Sequence, residues 1–397
     1  MEDDNSVSKV LTNDSLLGEI IPRLHCPTCY VRAALASKRW LCNASTQATI
    51  CSFRTQQSPH LLGIYVLCDF FSRPEFVPLP DASMPELKPA LLHGKFGFED
   101  LDTFALRVWG CRNGRVLYGF GPSFELPLGP AVQTPLRCHG ETRAVLPRLP
   151  YTICSPHAML LPNDDDDDSS CYRVDIEQRD RMVYAKVYVL RAGSWSIHCS
   201  ASADLAGSLV HILQTTMLMR GTIYMFTTAR YILALDLTTT KFSTIDLPEG
   251  MQFEYSTNLA PCQGDDSTLY LFHVSGDELT VWLRRMNDHS IGDGSSAGEW
   301  ILRDTISLLE TCGHLAEQGW DLEDRCEDFV SVVGVGDNAE FVFLELEQTG
   351  VIVYMHLKSR KVKKVYQRHP YNDFSIRVLP FMMNCEDVYE DEGLHQK

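Results

Sequence analysis

Hydrophobic residues recur at two different periods along this chain, and the change falls near residue 60. Before it the spacing is helical. Leu16, Leu17, Ile20, Ile21 and Leu24 repeat at three- and four-residue intervals, so they share one face of a helix of about three turns. Thr12 or Asn13 can cap that helix, with Asp14 favourably placed in its first turn. Pro27 suits the first position of a second helix running to Leu35, and Ser37 can cap a third that carries Trp40, Leu41 and Ala44. Pro22 falls inside the first helix, where it costs about 3 kcal/mol and clashes with the carbonyl of Gly18, itself worth about 1 kcal/mol against alanine. The first helix is therefore expected to be kinked or short. Three helices of this size make a poor independent core, and such a module leans on a partner.

From Leu61 onward the period is two. β-branched and aromatic residues alternate with polar ones in runs of four to eight, separated by Gly, Asp, Asn, Ser and Pro. The clearest strands are Val183 to Leu190, Thr222 to Thr227, Tyr231 to Leu237, Thr268 to Val274, Leu279 to Arg284, Glu340 to Leu346 and Val351 to Leu357. Gly276-Asp277 and Thr349-Gly350 read as hairpin turns. A loose repeat of strand, turn, strand and a short aromatic run recurs as Tyr184 to Trp195, Tyr224 to Phe242, Tyr270 to Trp300 and Phe341 to Tyr366. A period of about 40 to 50 residues with four strands per unit is what a β-propeller blade requires, and the length allows six or seven blades. Two stretches break the order. Asn163 to Ser170 holds five consecutive aspartates and reads as a solvated loop; Cys111 to Pro150, rich in Gly and Pro, reads as a degenerate or partly irregular blade.

Composition narrows the function classes. An apolar fraction of 45% with 22% charged residues is that of an ordered globular chain. A net charge of -17 repels phosphate backbones and anionic bilayers, so neither nucleic acid nor membrane is expected as the main partner, and a protein is. Residues Met1 to Val10 have the acidic, polar character of a tail, not of a signal peptide, and no run is long enough to span a membrane, so the expected location is cytoplasmic or nuclear. In a reducing compartment the fourteen cysteines read as buried small hydrophobes.

The run Leu11-Thr12-Asn13-Asp14-Ser15-Leu16-Leu17-Gly18-Glu19-Ile20-Ile21-Pro22-Arg23-Leu24, followed by Val31-Arg32-Ala33-Ala34-Leu35-Ala36-Ser37-Lys38-Arg39-Trp40, resembles the F-box motif in order and spacing. It is similar to the large grass-type group of plant F-box proteins, in which a segment like Pro59-His60-Leu61-Leu62-Gly63-Ile64-Tyr65 leads into a β-rich associated domain. Cys111-Arg112-Asn113-Gly114-Arg115-Val116-Leu117, Ile232-Leu233-Ala234-Leu235-Asp236-Leu237 and Gly298-Glu299-Trp300 also resemble that group. The resemblance implies that the helices dock on a Skp-type adaptor joined to a cullin scaffold, while the C-terminal domain holds the client protein to be ubiquitinated. It further implies that Leu11, Leu16, Leu17, Ile20, Leu24, Val31, Leu35 and Trp40 form the module core and the adaptor-facing surface. The chain departs from the motif at Thr12 and His25, where proline is usual, and at Pro22.

Other motifs favour plainer readings. Gly294-Ser295-Ser296-Ala297-Gly298 matches a nucleophile elbow, but a polar loop precedes it and a strand-like segment follows, where the elbow needs a strand and then a helix. Cys26-Pro27-Thr28-Cys29 has the spacing of a zinc pair, but Cys42 and Cys51 are too far apart to supply the second. Asp164 to Asp168 lack the interleaved glycine of a calcium loop. Lys358 to Lys364 is either an import signal or an exposed strand, and Val362 and Val365 favour the strand.

The expected organisation is thus α+β and multidomain: an acidic tail (1–10), a three-helix F-box (11–52), a linker (53–60), an all-β, propeller-like domain (61–384) and an acidic tail (385–397). The expected role is substrate recruitment in a Skp-cullin-F-box ubiquitin ligase, without catalysis or cofactor by this chain. A propeller-based hydrolase or oxidase, or a binding protein whose F-box has decayed, are the alternatives. The enzyme would need His, Asp or Cys clustered at the propeller axis, and the thirteen histidines are scattered singly.

Overall fold

The structure is a computed structural model. It describes residues 13–383 apart from 25–32, 35, 45, 47–48, 50–59, 69–72, 80–90, 104, 123–127, 137–141, 149–157, 162–169, 206–211, 228–230, 250, 252–257, 265–267, 287–297, 316–329 and 369–375. The helical period before residue 60 yields α1 (Asp14–Ile20) and α2 (Lys38–Ala44), with a 3-10 turn at Ile21–Arg23. Asn13 caps α1 by accepting the N–H of Ser15 at 3.0 Å, and the Ser37 hydroxyl accepts the N–H of Trp40 at 3.3 Å. Pro22 lies in the 3-10 turn, so α1 ends two residues before it and is seven residues long. Of the middle helix expected from Pro27 to Leu35, only Ala33 and Ala34 are described, and both are helical.

The period of two yields twenty-three strands among the described residues, in six sheets. Blade 1 takes β1 (His60–Leu67) and β2 (Glu75–Pro78) from the start of the domain. Blade 2 is β3 (Ala105–Arg112), β4 (Arg115–Gly121), β5 (Gly129–Gln133) and β6 (Arg143–Val145). Blade 3 is β7 (Ala158–Leu160), β8 (Cys171–Arg179), β9 (Met182–Arg191) and β10 (Ser194–Asp204). Blade 4 is β11 (Ile212–Met219), β12 (Thr222–Thr227), β13 (Tyr231–Asp236) and β14 (Lys241–Asp246). Blade 5 is β15 (Leu259–Gln263), β16 (Thr268–Ser275), β17 (Glu278–Arg285) and β18 (Ile301–Ser307), followed by the short helix α3 (Leu308–Cys312). Blade 6 is β19 (Val330–Val335), β20 (Phe341–Leu346), β21 (Val351–His356) and β22 (Lys361–Gln367). The last strand, β23 (Arg377–Met383), returns to blade 1 and pairs antiparallel with β1, Ile64 standing opposite Pro380.

The first strands of blades 2 to 6, together with β23, touch one another in turn as β23, β3, β7, β11, β15, β19 and β23 again, which closes the ring and makes them its innermost strands. Each junction between neighbouring blades has its own apolar cluster. Phe272 and Val281 meet Leu344 and Val353 between blades 5 and 6, and Tyr65 and Phe381 meet Val108 and Tyr118 between blades 1 and 2. Six junctions, each buried, make a six-bladed β-propeller in which no blade needs a second layer.

Each of the seven strands read from the sequence matches one of these, with Leu237, Glu340 and Leu357 falling one residue outside theirs, and both turns lie between paired strands; Gly276 (φ 60°) and Gly350 (φ 63°) take the left-handed backbone that their turns require. One expectation is corrected. Cys111 to Pro150 is not an irregular blade but most of a regular four-stranded sheet. Its glycines serve packing as well as turns: a Cβ on Gly119 would come within 2.4 Å of the Trp109 ring, so glycine lets that indole lie on the strand. The run Asp164 to Asp168 and residues 294–297 of the elbow-like motif lie outside the described residues, but the latter lead into β18, a strand where an elbow needs a helix. The basic run forms the turn before β22 and the strand itself, where Lys361, Lys363 and Lys364 are exposed on an outer edge, a common guard against edge pairing.

Candidate functional site

The N-terminal module has a core of its own. Leu17 and Ile21, both fully buried, meet Ala34 and Ala44, with Leu24 and Trp40 packed against them. The two helices are tied outside that core by Asp14, which accepts from Arg39 Nε at 2.6 Å and from Asn43 Nδ2 at 3.0 Å. The hydrogen bond from Arg39 holds the Asp14 carboxyl below its ordinary range. Of the residues singled out in the sequence, Leu17, Leu24 and Trp40 belong to this core or its edge. Leu16 and Ile20, one turn apart on α1, are only half-buried and are not part of it. Leu11, Val31 and Leu35 lie outside the described residues. On α2, Leu41 is 47% exposed. The helix thus divides its apolar residues between an inward set, Leu17, Ile21 and Leu24, and a second set, Leu16 and Ile20, left at the surface. Sequence periodicity had placed all five on one face; the inward set is the i, i+4 pair Leu17 and Ile21 with its continuation.

Propeller chemistry is sparse by comparison. A small cavity of about 110 Å³ opens at the axis where β3 turns into β4, lined by Cys111, Arg112, Asn113, Val335, Asp337, Pro380 and Met382. No histidine lines it, and burial pushes the Cys111 thiol far up, so this cysteine is no ready nucleophile. Cys171 and Cys312 are likewise pushed up by burial, to about 12 and about 11. The cysteines expected to be buried divide among the described residues: Cys171, Cys199, Cys262 and Cys312 are buried free thiols, Cys68 and Cys111 are half-buried, and Cys42 is exposed. Among the described residues no group of three His, Cys, Asp or Glu side chains could hold a metal ion, and no helix is long and apolar enough to cross a membrane.

The first strand of the propeller begins at the same end as this cavity. His60, the first residue of β1, stands opposite Met383 at the end of β23, and the Gly114 N–H of the β3–β4 turn donates to the Met382 carbonyl at 3.1 Å.

Comparison with known proteins bears on the propeller. No curated protein matches the chain. Among solved structures, a chain in a crystal structure of a nidogen/laminin complex is 13% identical and aligns with a TM-score of 0.41 over 81% of this chain and the whole of the other, a likeness too slight to carry an argument. A family model described as "F-box protein AT5G49610-like, beta-propeller" matches residues 107–386, from β3 of blade 2 to just beyond the closing strand β23. That match takes in more than half of the chain, with blades 3 to 6 whole and all of blade 2 but the first two residues of β3, and on it the chain belongs to the family of AT5G49610-like F-box proteins with a β-propeller.

Proposed function

We propose that the chain is the client-recruiting subunit of a Skp-cullin-F-box ubiquitin ligase, in which residues 11–52 are the F-box that docks on a Skp-type adaptor and the propeller holds the client. The carrying observation is the division of apolar residues on α1. Leu17 and Ile21 complete the module's core, and Leu16 and Ile20 are left for another surface to cover; Leu41 of α2 is also exposed. A module this small gains stability by burying such a pair against a partner. Membership of the F-box family supports an adaptor as that partner, and a cullin through it. In this reading the chain acts by proximity, holding a client near a charged conjugating enzyme so that transfer becomes effectively local. No side chain of the propeller needs to touch the reacting bond.

The test is capture of a purified Skp-type adaptor by the full chain. Binding that is lost in Ile20→Asp while the propeller keeps its thermal transition supports the reading. Absence of adaptor binding by the parent chain would favour a binding protein with a decayed F-box.

A further inference from the structure

The outer edges of the six blades are not equally protected. An outermost strand presents a row of unpaired backbone N–H and C=O groups, and charge, proline or shortness keeps another strand from adding to it. Five edges carry such a guard. β22 has Lys361, Lys363 and Lys364, β18 has Arg303 and Asp304 at its middle, and β14 is six residues long with Lys241 and Asp246 at its ends. β6 is three residues long, and β2, four residues long, carries Glu75 and Pro78. β10 of blade 3 is the exception. It runs for eleven residues, and from Ser194 to Ala203 it holds no Asp, Glu, Lys, Arg or Pro. A bulge at His198 interrupts it, after which Cys199 to Asp204 pair with Val187 to Met182 without a break.

The side chains beside this edge are open as well. Val183, Ala185, Val187 and Cys199 pack toward blade 4. Tyr184, Lys186 and Tyr188 therefore lie on the other face of the sheet, opposite Ser202, Ser200 and Ile197 of β10. Tyr184 is 41% exposed and Ile197 57%. The hydrogen bond from Trp195 to the Pro147 carbonyl brings Ile197 and Val145, each two residues from a bonded one, to the same rim, and Val145 is 69% exposed. Three of the seven large hydrophobic side chains exposed among the described residues thus stand along this rim. Lys186 is exposed and lies over the Tyr188 ring, 5.4 Å from its centre, while Asp175, opposite it on β8, is engaged by Arg173 at 2.7 Å.

We propose that β10 takes an extended segment of the client protein as a fifth strand of blade 3, and that this segment alternates apolar residues with a glutamate on its inward-reading face. Main-chain hydrogen bonds to the open edge hold the segment, and every second side chain is read. A residue opposite Ser200 lies two strands, about 10 Å, from Lys186, and the serine between them is too short to keep a glutamate from reaching the ammonium. The next residue on that face meets Tyr184 across Ser202. A protein of net charge -17 turns away strongly acidic segments, so a single carboxylate among apolar residues is the fit. The proposal rests on the reading that the propeller holds a client.

The experiment measures fluorescence anisotropy of a labelled seven-residue peptide, in which threonines alternate with valine, glutamate and valine, against the full chain. Saturable binding is expected. N-methylation of one set of alternate amides should abolish it, and of the other set should not. Lysine in place of the glutamate should weaken binding several-fold, and Lys186→Glu should reverse that preference. Ser200→Lys together with Ser202→Lys, which gives β10 the guard that β22 has, should abolish binding without lowering the thermal midpoint. No saturable binding, equal binding by the doubly substituted chain, or an unchanged preference in Lys186→Glu would overturn the proposal. So would a dimer of the parent, seen by sedimentation velocity, that the two lysines dissolve, since the edge would then belong to a second copy. Adaptor capture is read on the same samples: peptide binding without it supports the open edge and counts only against the ligase reading, whereas adaptor capture without peptide binding overturns the edge alone.

Discussion

Trp300 donates its indole N–H to the carbonyl oxygen of Asp246, 2.7 Å away and one blade back. Trp195 repeats the contact with the Pro147 carbonyl at 2.6 Å. Both indoles come from the outermost strand of their blade or the residue before it, and both acceptors lie at or just past the end of the preceding blade's outermost strand. The aromatic run that marked the repeat in the sequence is thus a latch from blade to blade. Arg284 lies over the Trp300 ring, 5.7 Å from its centre, and would remain over a phenylalanine. Trp300→Phe is therefore expected to remove the hydrogen bond alone, at about 1 kcal/mol, lowering the thermal midpoint by about 1 to 3 °C. Differential scanning calorimetry of the two proteins checks this.

Ile20, the last residue of α1, and Ile21, the first of the 3-10 turn, should differ in how they lose adaptor when changed to aspartate. Ile21 is fully buried in the module core, so Ile21→Asp should unfold the module and abolish adaptor capture, with loss of helical circular dichroism. Ile20 is half-buried and outside that core, so Ile20→Asp should leave the helical signal intact and still lose adaptor by roughly a hundredfold, which corresponds to about 3 kcal/mol. A folded Ile20→Asp protein that binds adaptor as well as the parent would remove the proposed docking surface.

Ring closure rests on one strand from the C-terminal end of the domain. Phe381 of β23 is fully buried, with its ring 5.4 Å from that of Phe96 and 6.2 Å from that of Tyr65. Phe381→Ala should cost about 3 to 5 kcal/mol, from lost burial and the cavity left behind. Urea unfolding should show this as a lower midpoint with an unchanged slope; a much smaller loss would mean that blade 1 is held by β1 and β2 alone.

Glu345 of β20 should make stability depend on pH in the direction opposite to most carboxylates. Burial raises its pKa to about 7, although Arg368 Nε lies 3.1 Å from it and opposes the shift. In the unfolded chain the same group ionises near the ordinary glutamate value. Below that value both states are protonated and the group contributes nothing. As pH rises toward 7 the unfolded chain ionises first, so stability falls through that window and levels off above it, by up to about 3 kcal/mol. Glu345→Gln should flatten the fall, seen as a smaller difference between thermal midpoints at pH 5 and pH 8 than in the parent.

The propeller was legible because a blade is local. Each strand and turn lies within a few tens of residues of its neighbours, and alternation together with Gly276 and Gly350 marks where the chain must reverse. The stretch from Cys111 to Pro150 misled because glycine carries two meanings: Gly119 is small so that Trp109 can pack on it, and only the packed structure tells this from a turn. On α1 the periodicity located an apolar face but not its division, since Leu17 and Ile21 become core only when Ala34 and Ala44 arrive from later in the chain.

What the sequence determined by itself was therefore the order of elements: a short helical module, cut at Pro22, then a series of four-stranded units marked by their aromatics. Backbone sterics and side-chain alternation act over a few residues, and that is the range at which these features are set. The blade number, the return of β23 to β1, the buried Glu345 and the reach of Arg112 to Gln263 were decided only in the closed ring. Ile64 and Pro380 are 316 residues apart in sequence and stand opposite each other only because β23 returns to β1. A one-residue bulge at Trp109, invisible as a pattern, then turns Arg112 to the same side as Arg107.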